Sequence, residues 1–393
     1  MRKLGEAQPQ KKTKPFFKVF LISVVLLTLT IGALFLLNID KYFLKGPQTV
    51  VQLITDSGLK NTDGRTNVLL LGIGGAGHEG PSLTDTIIVA SIEKEGKDVA
   101  LVSIPRDMWS PTVSAKINSA YAFGLEKGDG IGLAKKSVEE AIGLPIHYVG
   151  RIDFRGFTRA VDLVEGLDLE VENAFVDTKY PIPGKEDDLC GLTLETQEKD
   201  GVKVEVVKDA TGSAMPISEI TDFNNPFTCR FETISFKKGS AHMDGTTALK
   251  FVRSRHGSND EGSDFARSAR QQKVLLAFRQ KVLSKETLTS PKTIIDLLKS
   301  FGESIDTNIG GEEVPFFAKL FKEVKSENVR RIVLHSGRDE SVLEVGDPAS
   351  HGGQYVLAPK SGNYDDLANY IKGEIFKTTA EIKQSIPEAG NDP

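Results

Sequence analysis

Four arginines (Arg253, Arg255, Arg267, Arg270) and three carboxylates (Asp260, Glu261, Asp264) fall in one short stretch, Thr247 to Gln272. Arginine's planar fork pairs with phosphate oxygens two at a time, so one chemistry open to this cluster is anion binding. The other reading is a salt-bridge network among the same side chains. Arg267 and Arg270 stand near the start of an expected helix, where a cation opposes the macrodipole, and buried charges need partners. They are poor choices for making a helix and good ones for holding an anion.

Local periods indicate which elements carry these groups. Leu249 to Arg255 alternates, which predicts a strand with Leu249, Phe251, Arg253 and Arg255 on one face. Gly257 to Gly262 is a polar loop. Ser263 is placed to cap a helix that begins near Asp264. Asp264, Arg267 and Gln271 share one face of that helix, and Val274, Leu275, Phe278 and Val282 continue it.

Upstream, Asn67–Leu71, Thr86–Ile92 and Val99–Ile104 read as strands, the last apolar throughout as in a sheet covered on both faces. Asp85 precedes the second, and Arg106 and Asp107 follow the third. Charged groups at the carboxyl end of a buried strand are where open α/β sheets place ligands. The competing reading of Arg106 and Asp107 is a local ion pair closing a turn. The glycines from Gly72 to Gly77 match G-x-G-x-x-G, but Gly80-Pro81 and a second strand follow where a dinucleotide site needs a helix, so the run reads as a loop. Helices over Leu133–Ile142 and Phe154–Val164 alternate with strands over His147–Ile152 and Leu167–Val171. The pattern predicts an α/β fold, a three-layer αβα sandwich with a mixed central sheet.

The 393 residues carry a formal net charge of -5, with 39% hydrophobic and 26% charged residues. That balance is globular and argues against a nucleic-acid binder working through a broad basic surface. Val19 to Asn38 is uncharged and long enough to cross a bilayer. The lysines before it place the N-terminus in the cytoplasm and the rest outside. A cleaved signal peptide is the competing reading, weakened by the length of the run and the lack of a small-x-small site. Cys190 and Cys229 are expected to pair outside the cytoplasm, the alternative being two free thiols. The expected organisation is a basic tail over 1–18, an anchor over 19–38 and a linker over 39–65. A catalytic domain over 66–285 follows, with a loop-rich extension at 172–245, then a helical or mixed extension over 286–380 and a disordered tail over 381–393.

These motifs together resemble the LytR–CpsA–Psr family of cell-envelope enzymes. They are Thr84-Asp85-Thr86, Ile104-Pro105-Arg106-Asp107, Lys116-Ile117-Asn118 with Ala120-Tyr121, and Gly156-Phe157. Val252-Arg253-Ser254-Arg255-His256 and Asp264-Phe265-Ala266-Arg267-Ser268-Ala269-Arg270-Gln271 complete the series. Their order and spacing match across roughly Asn67 to Lys281.

The resemblance implies a membrane-anchored, extracytoplasmic phosphotransferase. Its donor would be a glycopolymer on a polyprenyl-pyrophosphate carrier and its acceptor peptidoglycan. Arg106, Arg253, Arg255, Arg267 and Arg270 would hold the pyrophosphate, assisted by Gln271. Asp85 and Asp264 would bind Mg²⁺ or Mn²⁺. Arg106, Asp107 and Arg267 would stand at the reacting centre, with Asp107 a candidate base. One departure is plain: Leu83 stands where the family carries an arginine. A hydrolase of the same carrier, and a non-catalytic glycolipid-binding or regulatory protein, are the competing functions.

Overall fold

A computed structural model describes residues 58–377, apart from 79, 200–201, 222–223, 291, 294–295, 298–304 and 337–340. The expected tail, the anchor over 19–38, most of the linker and the 381–393 tail lie outside the described residues. Among the described residues no helix is long and apolar enough to cross a membrane. The chain divides into two compact units, and the central sheet and both apolar cores belong to the one formed by Lys60–Ile309 and Lys319–Pro393.

Three strands make the middle of a six-stranded sheet: β1 (Arg65–Ile73), β2 (Thr84–Glu93) and β3 (Val99–Ser103). They are rich in Leu, Ile and Val, and β3 is buried at every residue. Two short strands, β4 (Trp109–Ser110) and β5 (Ala115–Lys116), pair with each other before the helices α1 (Ala120–Glu126) and α2 (Gly130–Ile142). Asp129 caps α2 by accepting from the Gly132 amide, and Gly143 ends it at φ 64°, a left-handed conformation that suits glycine. Then come β6 (Tyr148–Asp153), α3 (Phe154–Leu163) and β7 (Leu167–Val171). β6 joins the sheet parallel to β1.

The region expected to be loop-rich at 172–245 carries six strands among its described residues. β8 (Phe175–Pro181) pairs with β12 (Phe231–Phe236). β9 (Thr193–Lys199), β10 (Val202–Lys208) and β11 (Ala214–Pro216) form a small sheet of their own. β13 (Gly239–Met243) returns to pair with β7. Cys190 and Cys229 are joined, with Cα atoms 5.5 Å apart. A hairpin expected near Val202–Val207 is the β9–β10 pair, while the polar, glycine-rich composition hid the other strands.

The segment expected as a strand, Leu249–Arg255, is instead the end of a helix, α4 (Gly245–Arg253). Asp244 caps it through the Thr247 amide, and Gly245, Ala248 and Phe251 are its buried residues, a three-residue spacing that the apparent alternation masked. Gly245 has no side chain for a reason: a Cβ there would meet the Thr158 carbonyl oxygen of α3 at 2.2 Å. Phe251 packs with Phe175 and Phe236 at centroid separations of 6.0 and 5.0 Å. Together with Val161, Leu167, Leu169 and Val274 they form one of two apolar cores.

α5 (Asp264–Val282) begins where expected, with Ser263 accepting from the Ala266 amide. The boundary placed at 285 does not hold. After α6 (Lys285–Leu288), β14 (Ile305–Thr307) pairs with β6. After α7 (Val314–Glu323), β15 (Val329–Val333) pairs in parallel with β3. The sheet order is β14-β6-β1-β2-β3-β15, so both edges come from beyond residue 285. β16 (Leu343–Val345) and β17 (Leu357–Pro359) form a hairpin, and α8 (Tyr364–Phe376) lays Leu367, Ile371 and Ile375 into the other core. There they meet Val138 and Ala141 of α2 and one face of β1 to β3. The result is a mixed α/β fold around a mixed central sheet.

Candidate functional site

The antiparallel pairing of β2 with β3 puts the start of one beside the end of the other. Ile104 still donates to the Ile87 carbonyl, and then Pro105 turns the chain, with the Met108 amide closing back on Pro105. The amides of Ile117 and Asn118 donate to the Met108 and Arg106 carbonyls and hold this turn in place. Arg106 thereby reaches across to Asp85, Nη1 to Oδ1 at 2.6 Å. Asp107 accepts from Lys116 Nζ at 2.7 Å. Its other oxygen lies 3.5 Å from Arg106 Nε, too far to count as a hydrogen bond, and that buried Nε–H has no hydrogen-bond partner. Burial works against the Asp107 anion, yet Lys116, Arg106 and Arg255 hold its carboxyl below the usual carboxylate range. Burial also opposes the Arg106 charge, and Asp85, Asp107 and Asp264 together outweigh it and raise the pKa.

α5 delivers the second set. Gln272 Nε2 donates to Ser103 Oγ at 2.8 Å and to the Leu101 carbonyl at 3.3 Å, tying the helix to the end of β3. The sheet-facing amide is thus Gln272; Gln271, expected on the inward face, is only half-buried. One turn and a half earlier, Arg267 is buried and bonds Asp264 at 2.6 Å. Burial lowers the Arg267 pKa, and Arg255 and Arg106 push the same way against Asp264 and Asp85. Arg106, Arg255, Arg267, Asp85 and Asp264 therefore act on one another across a single site.

The end of α4 supplies the rest. The Arg253 guanidinium lies 4.2 Å from the centre of the Phe154 ring and donates to Tyr180 Oη at 3.3 Å. Arg255 is exposed. Neither makes a salt bridge among the described residues, although the Arg255 charge acts on Asp107. The loop carrying Arg255 is shaped by Asp177, a buried carboxylate on β8 that accepts from Ser254 Oγ and from the amides of Arg255 and His256. Nothing in the spacing of the sequence marked Asp177, because its partners lie far along the chain.

Arg270 stands apart. Its guanidinium donates to the carbonyls of Phe251, Ser254 and Glu261 and to the Glu261 carboxylate at 2.6 Å. Every one of these contacts fastens the α4–α5 loop, and the ring of Phe175 covers it. Of the arginines expected at the site, this one has its donors committed to the chain.

Beside the site runs a groove of about 560 Å³, whose lining joins the apolar Phe154, Leu163 and Leu249 with His78 and the charged Arg155, Arg159 and Asp162. Sequence reading passed over His78. The ring meets Phe154 edge-on, at a centroid distance of 5.1 Å. Among the described residues the one group of three potential metal-ligating side chains is Asp188, Cys190 and Cys229, and its cysteines are bonded to each other.

The chain is similar to known proteins. The sequence profile of the LytR_cpsA_psr family matches residues 38–350. A Bacillus cereus protein named polyisoprenyl-teichoic acid–peptidoglycan teichoic acid transferase TagU is 25% identical over 316 residues, covering 79% of each chain. The protein of the same name from Bacillus anthracis is 25% identical over 79% of this chain and 80% of its own. The crystal structure of B. subtilis TagV superposes with a TM-score of 0.50 at 21% identity, covering 81% of this chain and all of that one, a likeness of fold. With more than half its length matched by one family profile, this chain belongs to the LytR_cpsA_psr family.

Proposed function

We propose that the protein is a phosphotransferase that moves a glycopolymer from a polyprenyl-pyrophosphate carrier onto peptidoglycan, leaving a phosphodiester. The carrying observation is the set of cations converging from three elements with spare donors. Among the described residues Arg253 and Arg255 make no salt bridge, and the Nε–H of Arg106 is buried without a hydrogen bond, the nearest carboxylate oxygen being that of Asp107 at 3.5 Å. A buried orphan donor is costly and calls for an acceptor that arrives with the substrate. Phosphoryl transfer asks a protein chiefly for position and neutralisation of charge, which such a cluster supplies. Residue 83 adds no cation: the Leu83 side chain packs over Gly80 instead.

Asp85 and Asp264 suit a divalent cation. Both are hard oxygen donors with side chains 39% and 48% exposed, and both act on Arg106 and Arg267. Mg²⁺ or Mn²⁺ held there would neutralise phosphate oxygens. The Cys190–Cys229 disulfide supports an oxidising compartment. It agrees with an anchor over Val19–Asn38, a cytoplasmic N-terminus and the remainder outside.

The test is transfer of a labelled glycopolymer from its polyprenyl pyrophosphate to peptidoglycan fragments by purified protein with Mg²⁺. Product appearing only with the acceptor supports transfer. Free polymer phosphate formed equally without acceptor would make the protein a hydrolase, and tight carrier binding with no turnover would make it a binder.

A further inference from the structure

The reaction needs a group to take the acceptor's proton, and the carboxylates at the site are badly placed for it. Asp85 is held by Arg106, Asp107 by Lys116, Asp264 by Arg267 and Glu261 by Arg270. Each has an oxygen taken by its cation, and the lowered pKa of Asp107 makes that carboxylate a weak base. The groove offers a different group. His78 and Arg253 pack on the same ring, Phe154, the imidazole edge-on at 5.1 Å and the guanidinium over it at 4.2 Å. A side chain lining the groove is thus tied through one aromatic ring to an arginine of the anion site.

We propose that His78 is the general base of the transfer, receiving the acceptor hydroxyl's proton as that hydroxyl comes in along the groove beside Phe154. This rests on the transferase reading. The acceptor oxygen forms a bond to the phosphorus that carries the glycopolymer. The bond from that phosphorus to the bridging oxygen breaks, and polyprenyl phosphate leaves with the electron pair. The acceptor's proton passes to the free ring nitrogen of His78 and from there to solvent.

The surroundings keep the ring ready for this. Burial first, and then the Arg253 charge, hold its pKa below the usual histidine range, with Arg155 of α3 acting the same way. Asp85 of β2 and Glu186 of the β8–β9 loop act in the opposite sense and are outweighed. The ring is therefore neutral at physiological pH and can accept a proton. Among the described residues the other histidines are engaged elsewhere or exposed. His147 and His242 bond to Asn67 and Asp168, His335 and His351 to Ser341 and Asp347, and His256 is at the surface beside Arg255.

The experiment compares wild type with His78→Gln, His78→Phe and His256→Gln. It measures the pH dependence of kcat/KM for transfer and, separately, the affinity for polyprenyl pyrophosphate. Wild-type kcat/KM should rise with pH through the titration of His78 in the free enzyme and then level off. A doubly esterified pyrophosphate loses no proton in that range. His78→Gln should lower kcat by roughly 10²–10⁴-fold, the usual share of general base catalysis, and abolish the acid limb. Carrier affinity should stay within about threefold, since each tenfold corresponds to one lost contact of about 1.4 kcal/mol. His78→Phe keeps a ring against Phe154 and should be equally slow, whereas His256→Gln should keep the wild-type profile. An unchanged acid limb in His78→Gln, or its loss in His256→Gln, overturns the role of His78 alone. A wild-type protein that gives no acceptor-dependent product removes the transferase reading and this proposal with it, whereas acceptor-dependent transfer with an unaltered rate and pH profile in His78→Gln removes the proposal alone.

Discussion

Two arginines three positions apart on α5 face opposite tests. Arg267 is buried, but its partner Asp264 is half in water, so Arg267→Ala leaves a carboxylate that solvent can hold. Its unfolding free energy should change by no more than about 1 kcal/mol, as for ion pairs with a solvated member. Carrier affinity should fall about 10–100-fold for loss of one charge-assisted contact. Arg270→Ala instead strands three carbonyls and the Glu261 carboxylate, whose side chain is 13% exposed. It should cost about 3–5 kcal/mol. Thermal unfolding and calorimetric titration with polyprenyl pyrophosphate check both; a large loss of stability in Arg267→Ala would return that residue to a purely structural part. The sequence showed that arginines gather here, because residue type and order are local facts. It could not show which of them has its donors already taken, since three of the four acceptors of Arg270 are backbone carbonyls, and every residue has one. Gln271 and Gln272 are likewise adjacent and chemically identical, and one residue is about 100° of helix phase.

At the level of elements, Asp98 is a staple. From the turn between β2 and β3 it accepts from Arg65 of β1 and from Arg330 of β15, each at 2.7 Å, while Arg330 also donates to the Ile375 carbonyl of α8. Burial raises the Asp98 pKa, but the hydrogen bonds and charges of Arg330 and Arg65 lower it further, and the net shift is downward. A lowered carboxyl pKa contributes stability above the unfolded value of about 3.9 and loses it as pH falls through the folded value. Asp98→Asn should therefore cost about 1–3 kcal/mol near neutral pH, less than a fully buried pair because the side chain is 35% exposed, and the gap from wild type should close in acid. Parallel denaturant curves at several pH values test this; a gap that does not narrow at all as pH falls below the unfolded value of about 3.9 would refute it. The disulfide invites a second measurement. It closes a loop with a sequence separation of 39, worth about 4 kcal/mol in chain entropy. Reduction should speed amide exchange in β9–β11 and leave β1–β3 protected, and uniform exchange in both would count against a local role. Legibility was uneven at this scale. β7 and the start of α5 were readable because several residues in a row share one period. α4 was misread because seven residues of alternation are too few to separate a strand from a helix whose cap, Asp244, lies outside the window.

For the whole molecule, the decisive fact is that both edges of the sheet come from the end of the chain. A chain stopped at 285 lacks β14, β15 and α8, and it should fail to give a cooperative unfolding transition. Stopping at Asn363 removes Leu367, Ile371 and Ile375 from the core. At about 1.5–3 kcal/mol for each buried side chain, that loss rivals the entire stability of a domain. A well-folded 60–285 fragment by near-ultraviolet dichroism would refute this reading of the architecture. The boundary at 285 was placed where the family motifs stop, and motifs report the site, whereas strand pairing across the sheet leaves no local trace. The pairing of Val99 with Val329 has a further consequence, in time. The β1–β2–β3 strands are adjacent in the chain, but β3 keeps an open edge until Val329–Val333 has been synthesised. Folding should accordingly be slow and governed by high contact order, with the sheet becoming stable only when β15 and α8 arrive.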